Sequence, residues 1–389
     1  MKQRVIYIIA GEASGDFLGA QLIQSLHQQA PEAILRGIGG NLMTQQGFNS
    51  LFPMHELSLM GLVEILPHIP RLYRRIQETV KDIINQKPDV LVTLDSPGFC
   101  HRVAKAAKKK LPNLKVVHYV APSVWAWRPG RAKKIAQWVD HLLTLFPFEP
   151  SYFTVHGLAT TFVGHPLLEQ SIYPDATFRG RYGIADSALV LVLLPGSRLG
   201  ELKRLLLPFC QTAVALSRDY PDFHVIVPTL PFLEQQVKQA LDATGLRYTL
   251  VTSPVDKYAA FAASDLALAA SGTVCLELAL MNVPMVIGYK VSFVTYALLK
   301  RLVRTKVICL INILLNNRII SEHIQHDCTV KALKTSLVQL LQGQGEVQKC
   351  FMQKAIQLLK NPQGQNPSQK AAEVILAVAD AKTADRNEL

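Results

Sequence analysis

Two stretches of the chain share one pattern, an apolar run that ends in a loop of small residues and leads into a helix. Val5–Ala10 runs into Gly11–Asp16, and Leu189–Leu194 runs into Pro195–Arg198. Because both runs are apolar throughout, they predict strands buried on both faces, as in a parallel sheet covered by helices. A strand, a glycine turn and a helix form the phosphate-binding corner of a Rossmann-like unit. The sequence therefore predicts an α/β fold of two Rossmann-like domains facing each other across a cleft.

Apolar runs recur along both halves, and their spacing predicts one such unit in each. A chain of 389 residues is long enough for two domains that each bury their own core. We predict an N-terminal domain over 1–165, a C-terminal domain over 166–350 and a helical tail over 351–389 that could pack back on the N-terminal domain. Further strands are predicted at Ile34–Gly37, Asp89–Leu94, Lys115–Val120, His141–Leu145, His224–Pro228, Tyr248–Val251, Leu266–Ala269 and Pro284–Ile287.

The net charge of +12 is dispersed along the chain rather than gathered in a tail. Such a surface favours anionic lipid or phosphorylated substrates as partners. No nucleic-acid motif accompanies the basic residues, so nucleic acid is not predicted as a partner. The cysteines form no close pair and the histidines have no metal-ligand spacing, so no metal site is indicated. No apolar stretch reaches about 18 residues, which argues against an integral membrane protein.

The second of the two loops, Gly196-Ser197-Arg198, has the composition of a diphosphate site. Backbone N–H groups in such a turn and the positive end of the following helix attract anions. Arg198 adds a guanidinium that can grip phosphate oxygens and stabilise a departing diphosphate. A structural turn with a solvated arginine explains the same residues equally well, because short glycine motifs are common.

A similar turn, Ser271-Gly272-Thr273, follows the strand at Leu266–Ala269 and opens a helix that contains Glu277. A glutamate one turn into such a helix can accept hydrogen bonds from both hydroxyls of a ribose. The alternative is a helix cap followed by a surface carboxylate, and the residues alone favour that alternative.

The first loop differs from the second because it carries two carboxylates, Glu12 and Asp16. Two acids repel a dinucleotide and suit a sugar with free hydroxyls, so the loop favours a sugar site over an NAD site. Asp95 ends another buried strand and is expected at the same edge of the sheet. There it can serve as a general base, or it can cap the helix that follows.

Aromatic residues follow the strand at Lys115–Val120, in the run Pro122–Trp127. Ser123, Trp125 and the later Glu149 are expected at the carboxyl ends of strands, where open parallel sheets bind ligands. Trp125 can form a platform for a sugar or an acyl chain, or it can be an ordinary core residue.

Six motifs in order along the chain resemble those of one family, the lipid-A-disaccharide synthases. They are Ala10–Asp16, Met60–Glu64, Asp95–Pro97, His118–Arg128, Leu194–Arg198 and Ala270–Thr273. They span nearly the whole chain at compatible spacing, and the set is specific although no single motif is decisive. The resemblance implies the GT-B fold and an inverting glycosyltransferase that needs neither metal nor cofactor.

The resemblance also implies the reaction and the roles of the site residues. Enzymes of this family join UDP-2,3-diacylglucosamine to 2,3-diacylglucosamine 1-phosphate (lipid X) and release UDP, in lipid A biosynthesis. Asp95 falls on the family's general base, and Arg198 falls on its essential arginine. Gly11, Glu12, Ser14 and Asp16 would line the acceptor side, Ser271, Gly272, Thr273 and Glu277 would hold UDP, and further substrate-binding positions are Gly15, Met60, Ser123, Trp125, Gly196, Ser197 and Asn312.

The family further implies a homodimer bound peripherally to the cytoplasmic face of the inner membrane of a Gram-negative-type bacterium. The apolar segment 57–66 would contact acyl chains, and Arg71, Arg74 and Arg75 would attract anionic head groups. A buried segment beside a solvated basic helix is the alternative.

One region departs from the family pattern. Cys309–Asn312 and Leu314–Arg318 retain Asn312 but lack the proline, glycine and glutamate that are usual there. A diverged GT-B protein is therefore the second prediction, either a UDP-sugar epimerase-like enzyme or a non-catalytic binder of lipid or nucleotide.

Overall fold

The chain folds into two compact units, each built on a parallel sheet. In the computed structural model, unit 1 comprises Met1–Glu169 and Leu359–Leu389, and unit 2 comprises Gln170–Leu358. The structure describes residues 3–57, 69–170, 175–292, 295–296, 305 and 307–387. Met60 and all but the first residue of the apolar segment 57–66 lie outside the described residues.

Unit 1 contains a six-stranded sheet in which neighbouring strands pair in parallel. Its strands are β1 (Val5–Ala10), β2 (Ile34–Ile38), β3 (Val90–Leu94), β4 (Lys115–Tyr119), β5 (His141–Thr144) and β6 (Ala159–Phe162). Their order across the sheet is β2-β1-β3-β4-β5-β6. This is the order of a doubly wound sheet, with helices on both faces.

Alternate residues of the central strands pack against helices on opposite faces of this sheet. The helices are α1 (Ala13–Gln29), α2 (Asn41–Gln45), α3 (Ile69–Gln86), α4 (Pro97–Lys110), α5 (Gly130–Ile135) and α6 (Ser151–Thr154). Ile6 and Ile8 lie in one core cluster with Leu22 of α1, whereas Tyr7 and Ile9 lie in another with residues of α3 and α4. The period of two along a strand explains this division.

Unit 2 repeats the architecture with a second parallel sheet. Its strands are β7 (Leu189–Leu194), β8 (Phe223–Pro228), β9 (Tyr248–Val251), β10 (Leu266–Ala269), β11 (Met285–Tyr289) and β12 (Ser321–Ile324). Their order is β12-β11-β10-β7-β8-β9, which is the Rossmann order. Its helices are α7 (Phe178–Arg181), α8 (Leu199–Ser217), α9 (Glu234–Asp242), α10 (Pro254–Ala262), α11 (Val274–Leu280), α12 (Leu310–Leu315), α13 (Val330–Gln339) and α14 (Gly345–Leu358).

The C-terminal part of the chain returns to unit 1 as helix α15 (Pro367–Asn387). Small and aliphatic side chains of α15, including Ala372 and Ile375, are fully buried in the core cluster that also contains Leu22. Before the helix begins, Asn361 donates from Nδ2 to the carbonyl oxygen of Val163 at 3.0 Å. The last helix is therefore part of the core of unit 1 rather than a loose appendage.

The sequence analysis missed two strands, β6 and β12, and both lie at the edge of a sheet. No residue of either strand is fully buried, so neither shows the continuous apolar run of the central strands. At the end of β4 the predicted strand was one residue too long, because Val120 has a φ of 83° that ends the extended backbone. Polar edge strands have too weak an apolar pattern to be recognised from sequence.

Buried histidines in unit 1 predict a loss of stability in mild acid. His118 Nδ1 lies 2.7 Å from Thr93 Oγ1, and burial lowers the pKa of His118 to about 3. Because the unfolded chain binds this proton near pH 6.5 and the folded chain does not, the free energy of unfolding falls as the pH drops below about 6.5. We expect His118 to account for a loss of about 2 kcal/mol between about pH 6.5 and pH 5.

Urea unfolding at several pH values measures this effect. The variant His118→Gln should show a flatter dependence of the unfolding free energy on pH, whereas the same change at the exposed His156 should preserve the wild-type slope. A wild-type slope in His118→Gln would contradict the assignment.

Candidate functional site

The first candidate site lies where β1 and β3 of unit 1 pair side by side. The chain leaves β1 for β2 on one side and returns to β3 on the other, which creates the switch point where doubly wound sheets bind ligands. Gly11 follows β1 and Asp95 follows β3. Ser14, in the first turn of α1, donates a hydrogen bond from Oγ to Asp95 Oδ2 at 2.7 Å. The structure thus brings these three predicted residues together.

Two glycines allow the loop after β1 to lie close to the end of β3. A Cβ atom on Gly11 would lie 2.5 Å from Ser96 Oγ, and one on Gly15 would lie 3.2 Å from the carbonyl oxygen of Leu94. Any larger residue at Gly11 would therefore push the loop away from Ser96. These glycines allow α1 to pack closely against the strand end: a Cβ at Gly11 would clash with Ser96, and a Cβ at Gly15 would be in tight contact with Leu94.

Asp95 and Ser96 form a strained turn at the end of β3. Both adopt left-handed backbone conformations, with φ of 48° and 41°, which are uncommon outside glycine and often found at functional sites. Ser96 occupies the N-cap position of α4 without a side-chain cap hydrogen bond, while Asp95 accepts from Ser14. A partly exposed carboxylate held by a hydroxyl is chemically suited to take a proton from a bound substrate hydroxyl.

The two acids of the first loop have different surroundings. Asp16 is 5% exposed, and its carboxylate accepts hydrogen bonds of 2.8, 3.0 and 3.1 Å from the backbone N–H groups of Gly40, Leu42 and Met43. It therefore holds the N-terminus of α2 beside α1. Glu12 is exposed at the N-cap position of α1. Of the two acids, Glu12 alone is accessible from solvent.

Ser123 and Trp125 follow β4, the neighbour of β3. Ser123 is exposed and Trp125 is half-buried. Trp125 donates from Nε1 to Glu149 Oε1 at 3.3 Å, and Glu149 Oε2 accepts from the backbone N–H groups of Leu145 and Phe146. Burial raises the pKa of Glu149 to about 7, although these hydrogen bonds favour its charged form.

The second candidate site lies where β7 and β10 of unit 2 pair. The strand order reverses here as well, and the loops after the two strands are Gly196-Ser197-Arg198 and Ser271-Gly272-Thr273. Gly196 has a φ of 106°, a left-handed conformation that favours glycine. Arg198 is the N-cap residue of α8, and its side chain is 77% exposed. The loop and its arginine are therefore open to an anionic ligand.

Glu201, which the sequence analysis missed, binds several parts of this loop. Its carboxylate accepts from the backbone N–H of Ser197 and from Tyr289 OH, both at 3.3 Å, and lies 3.4 Å from Arg198 Nη1. A Cβ atom on Gly196 would lie 2.6 Å from the Glu201 side chain. The three-residue spacing from Arg198 to Glu201 resembles that of a capping box, and this signal could have identified it.

Glu277 is held by groups that the sequence analysis also missed. It lies in the first turn of α11 and is paired with Lys257 Nζ at 2.9 Å. It also accepts a hydrogen bond from Tyr258 OH at 3.3 Å. Because its side chain is only 16% exposed, Glu277 is not the ordinary surface carboxylate that the sequence offered as the alternative.

The turn Ser271-Gly272-Thr273 is partly open and partly fixed. Gly272 and Thr273 are exposed, whereas Ser271 Oγ donates to the carbonyl oxygen of Ile308 at 2.8 Å. The chain after Ile308 forms α12, which carries Asn312. The turn is thus coupled to the segment that departs from the family pattern.

Asn312 is 1% exposed and uses its amide inside that segment. Its Oδ1 accepts from the backbone N–H groups of Ile319 and Ile320, and its Nδ2 donates to the carbonyl oxygen of Ile320 and to Glu322. Glu322 in turn accepts from the backbone N–H of Ile308. Every hydrogen-bonding position of the amide is therefore used within the protein.

Across the part of the chain that the structure describes, no three His, Cys, Asp or Glu side chains are placed to hold a metal ion. Met60, predicted from its motif, lies outside that part of the chain.

The cysteines form no disulfide among the described residues. Five of the six are buried free thiols, and Cys350 is exposed.

Comparisons with known proteins show which family the chain resembles along its length. A sequence model described as lipid-A-disaccharide synthetase matches residues 6–375. The lipid-A-disaccharide synthase of Rhodospirillum centenum is 43% identical over 395 residues, covering 99% of this chain and 98% of the relative.

Two solved structures show the same fold. The UDP-GlcNAc 2-epimerase of Neisseria meningitidis, bound to UDP-GlcNAc, has a TM-score of 0.62 at 11% identity and covers 97% of this chain and 99% of its own. MurG of Acinetobacter baumannii has a TM-score of 0.61 at 14% identity and covers 97% of this chain and 100% of its own. At such low identity the likeness concerns the fold alone, which is the two-domain α/β architecture of GT-B proteins.

Because Gly196 has a left-handed backbone conformation, we predict that replacing it with alanine lowers the free energy of unfolding. In Gly196→Ala, the Cβ would meet Glu201 in a backbone conformation that alanine rarely adopts, so we expect a loss of about 1–3 kcal/mol. Gly272→Ala is the matched control, because no atom lies within 4 Å of its added Cβ. Chemical unfolding measures both variants, and equal stability of the two would contradict the prediction.

Proposed function

Because the chain belongs to the lipid-A-disaccharide synthase family, we propose that the switch point of unit 1 binds the acceptor sugar and that of unit 2 binds the donor. The protein is a glycosyltransferase of lipid A biosynthesis, which joins UDP-2,3-diacylglucosamine to 2,3-diacylglucosamine 1-phosphate and releases UDP. The observation that carries the proposal is the hydrogen bond from Ser14 to Asp95 at a switch point.

Asp95 acts as the general base in this proposal. Ser14 occupies Asp95 Oδ2, so Oδ1 is the atom that takes the proton from the 6-hydroxyl of the acceptor. The hydroxyl oxygen then forms a bond to the anomeric carbon of the donor, while the bond from that carbon to the diphosphate breaks. One displacement inverts the anomeric centre, and the electron pair of the broken bond leaves with UDP.

The loop after β7 stabilises the leaving diphosphate. The backbone N–H groups at the start of α8 and the exposed guanidinium of Arg198 supply positive charge where negative charge develops. Glu277 accepts the ribose hydroxyls, and Lys257 keeps its carboxylate in place. Ser271, Gly272 and Thr273 form the remaining wall of the nucleotide site.

Asp16 and Asn312 support the site without touching substrate. The carboxylate of Asp16 is occupied by three backbone N–H groups, and the amide of Asn312 is occupied on all sides. Their replacement would therefore displace α2 or the 308–320 segment. The proposed acceptor site includes Gly11, Glu12, Gly15 and Ser123. The proposed site for the donor diphosphate includes Gly196 and Ser197.

An epimerase-like function is not favoured for this chain. The relative at 43% identity along nearly its whole length is a lipid-A-disaccharide synthase, whereas the epimerase structure shares only 11% identity. The structural similarity to the epimerase is explained by the shared fold, since one fold hosts many activities.

Measuring turnover and UDP binding separately tests the different roles of Asp95 and Arg198. Asp95→Asn cannot take a proton, so we expect turnover to fall about 10²–10⁴-fold while UDP binding is unchanged. Arg198→Ala removes a charge from the diphosphate and should weaken UDP binding as well as lower turnover about 10²-fold. Formation of the disaccharide 1-phosphate from UDP-diacylglucosamine and lipid X measures turnover, and calorimetry measures UDP binding.

Asp242→Asn is the control, because Asp242 forms an exposed pair with Lys238 on α9. It should behave as the wild type in both assays. Full turnover by Asp95→Asn would overturn its role as the base.

We also propose that α3 attaches the protein to the cytoplasmic surface of the inner membrane. No helix within the described ranges is long and apolar enough to span a bilayer. At the start of α3, Ile69 is 48% and Tyr73 is 64% exposed, and Arg71 and Arg74 are exposed beside them. Apolar side chains flanked by cations are suited to an anionic membrane surface.

Vesicle sedimentation tests this attachment. The double change Arg71→Glu and Arg74→Glu should reduce binding to phosphatidylglycerol vesicles at least tenfold, since each cation contributes about 1 kcal/mol at a charged leaflet. The same charge change at the exposed Lys109 and Lys110 of α4 is the matched control and should leave binding near the wild-type level. Equal loss in both double variants would show a general effect of net charge instead.

A further inference from the structure

Four rings form a continuous series in unit 1. Trp125 and Phe148 pack edge to face with centroids 5.5 Å apart, and Phe148 stacks on Phe146 at 5.6 Å with the rings only 7° from parallel. Phe146 then contacts the ring of His165 at 5.4 Å. We call Trp125, Phe148, Phe146 and His165 the ring series. Trp125 and Phe148 are half-buried, whereas Phe146 and His165 are buried.

The ring series extends along the same edge of the sheet as the proposed acceptor site. Trp125 follows β4, the two phenylalanines follow β5, and His165 follows β6. These strands are consecutive in the sheet and continue from β3, after which Asp95 lies. With neighbouring strands about 4.8 Å apart, the ends of β4, β5 and β6 span about 10 Å of this edge, beginning at the neighbour of β3.

The indole N–H of Trp125 and Nδ1 of His165 are engaged in the protein. Trp125 Nε1 donates to Glu149, which is 3% exposed and also accepts the backbone N–H groups of Leu145 and Phe146. His165 Nδ1 accepts the backbone N–H of Leu167 at 3.2 Å. The half-buried surfaces of Trp125 and Phe148 are therefore carbon, which suits hydrocarbon and offers no hydrogen bond to sugar hydroxyls.

We propose that the ring series is a subsite for a fatty acyl chain of the acceptor, and that Glu149 is the positioning residue that fixes the Trp125 ring in it. The inference rests on the proposed function, because it requires that the acceptor sugar bind at Asp95. An acyl chain attached to that sugar then has an apolar path along the edge of the sheet. Glu149 acts through Trp125 and through the 145–146 backbone, without contacting the chain.

Acceptors that differ only in acyl length test the subsite. The assay measures KM and kcat for lipid X analogues with myristoyl and with butyryl chains, using one UDP-diacylglucosamine donor. Phe148→Ala removes a half-buried wall, so the KM for the myristoyl acceptor should rise about tenfold, with kcat and the KM for the butyryl acceptor changed less than twofold. Trp127→Phe is the matched control: its ring lies under the guanidiniums of Arg128 and Arg131, outside the series.

A pair of variants tests the positioning role of Glu149. In Glu149→Gln the amide oxygen can still accept the two backbone N–H groups, but its NH₂ group then meets Trp125 Nε1, donor against donor. The KM for the myristoyl acceptor should rise about tenfold. Adding Trp125→Phe removes the opposing donor and should restore at least half of the loss in the double variant, an effect that a general folding defect would not produce.

The outcomes separate this inference from the function on which it rests. If the wild type forms no disaccharide from either acceptor, the proposed function fails. If the wild type is active and Phe148→Ala raises the KM of both acceptors equally, or of neither, the acyl subsite is overturned. If Trp125→Phe gives no rescue of Glu149→Gln, the positioning role is overturned while the subsite stands on Phe148→Ala.

Discussion

The parallel pairing of β1 with β3 and of β7 with β10 is the constraint on which both candidate sites depend. Parallel strands end at a common edge, so each pairing places two loops from distant parts of the chain side by side. In unit 1 the pairing brings Gly11 and Asp95 together although 83 residues of sequence lie between them. The close approach of Gly11 to Ser96 is possible because that glycine has no Cβ. The register of the paired strands therefore decides which side chains meet at these edges.

Carboxylates at the two edges divide into those that hold backbone and those that are available for chemistry. Asp16, Glu149, Glu201 and Glu322 each accept backbone N–H groups of a loop near a strand end. Such bonds satisfy N–H donors that irregular backbone would otherwise leave without partners. Asp95 differs because its partner is the side chain of Ser14. The acids that shape the loops are thus distinct from the acid proposed to do chemistry.

Sequence reasoning succeeded where the physical signal was local. The central strands were predicted nearly to the residue, because complete burial demands continuous apolar runs. The family and the GT-B fold were predicted from the motifs. It failed for β6 and β12, whose edge positions allow polar residues. It also missed Glu201 and Lys257, whose partners come from loops and neighbouring helices. The sequence placed Asp16 and Asn312 among the substrate contacts, and only the fold reveals that their polar atoms are occupied by other groups of the protein.

The return of α15 to unit 1 has a consequence for the order in which the protein is made. Ala371, Ala372 and Ile375 fill a core that also contains β1, the first strand of the chain. On the ribosome, residues 170–358 emerge complete before that core can close. Unit 1, although it begins first, is therefore the last to finish folding, and its apolar face near α1 stays uncovered during most of translation. A pause or truncation after unit 2 would leave a nascent chain with one finished unit and one exposed hydrophobic surface, the form that chaperones recognise.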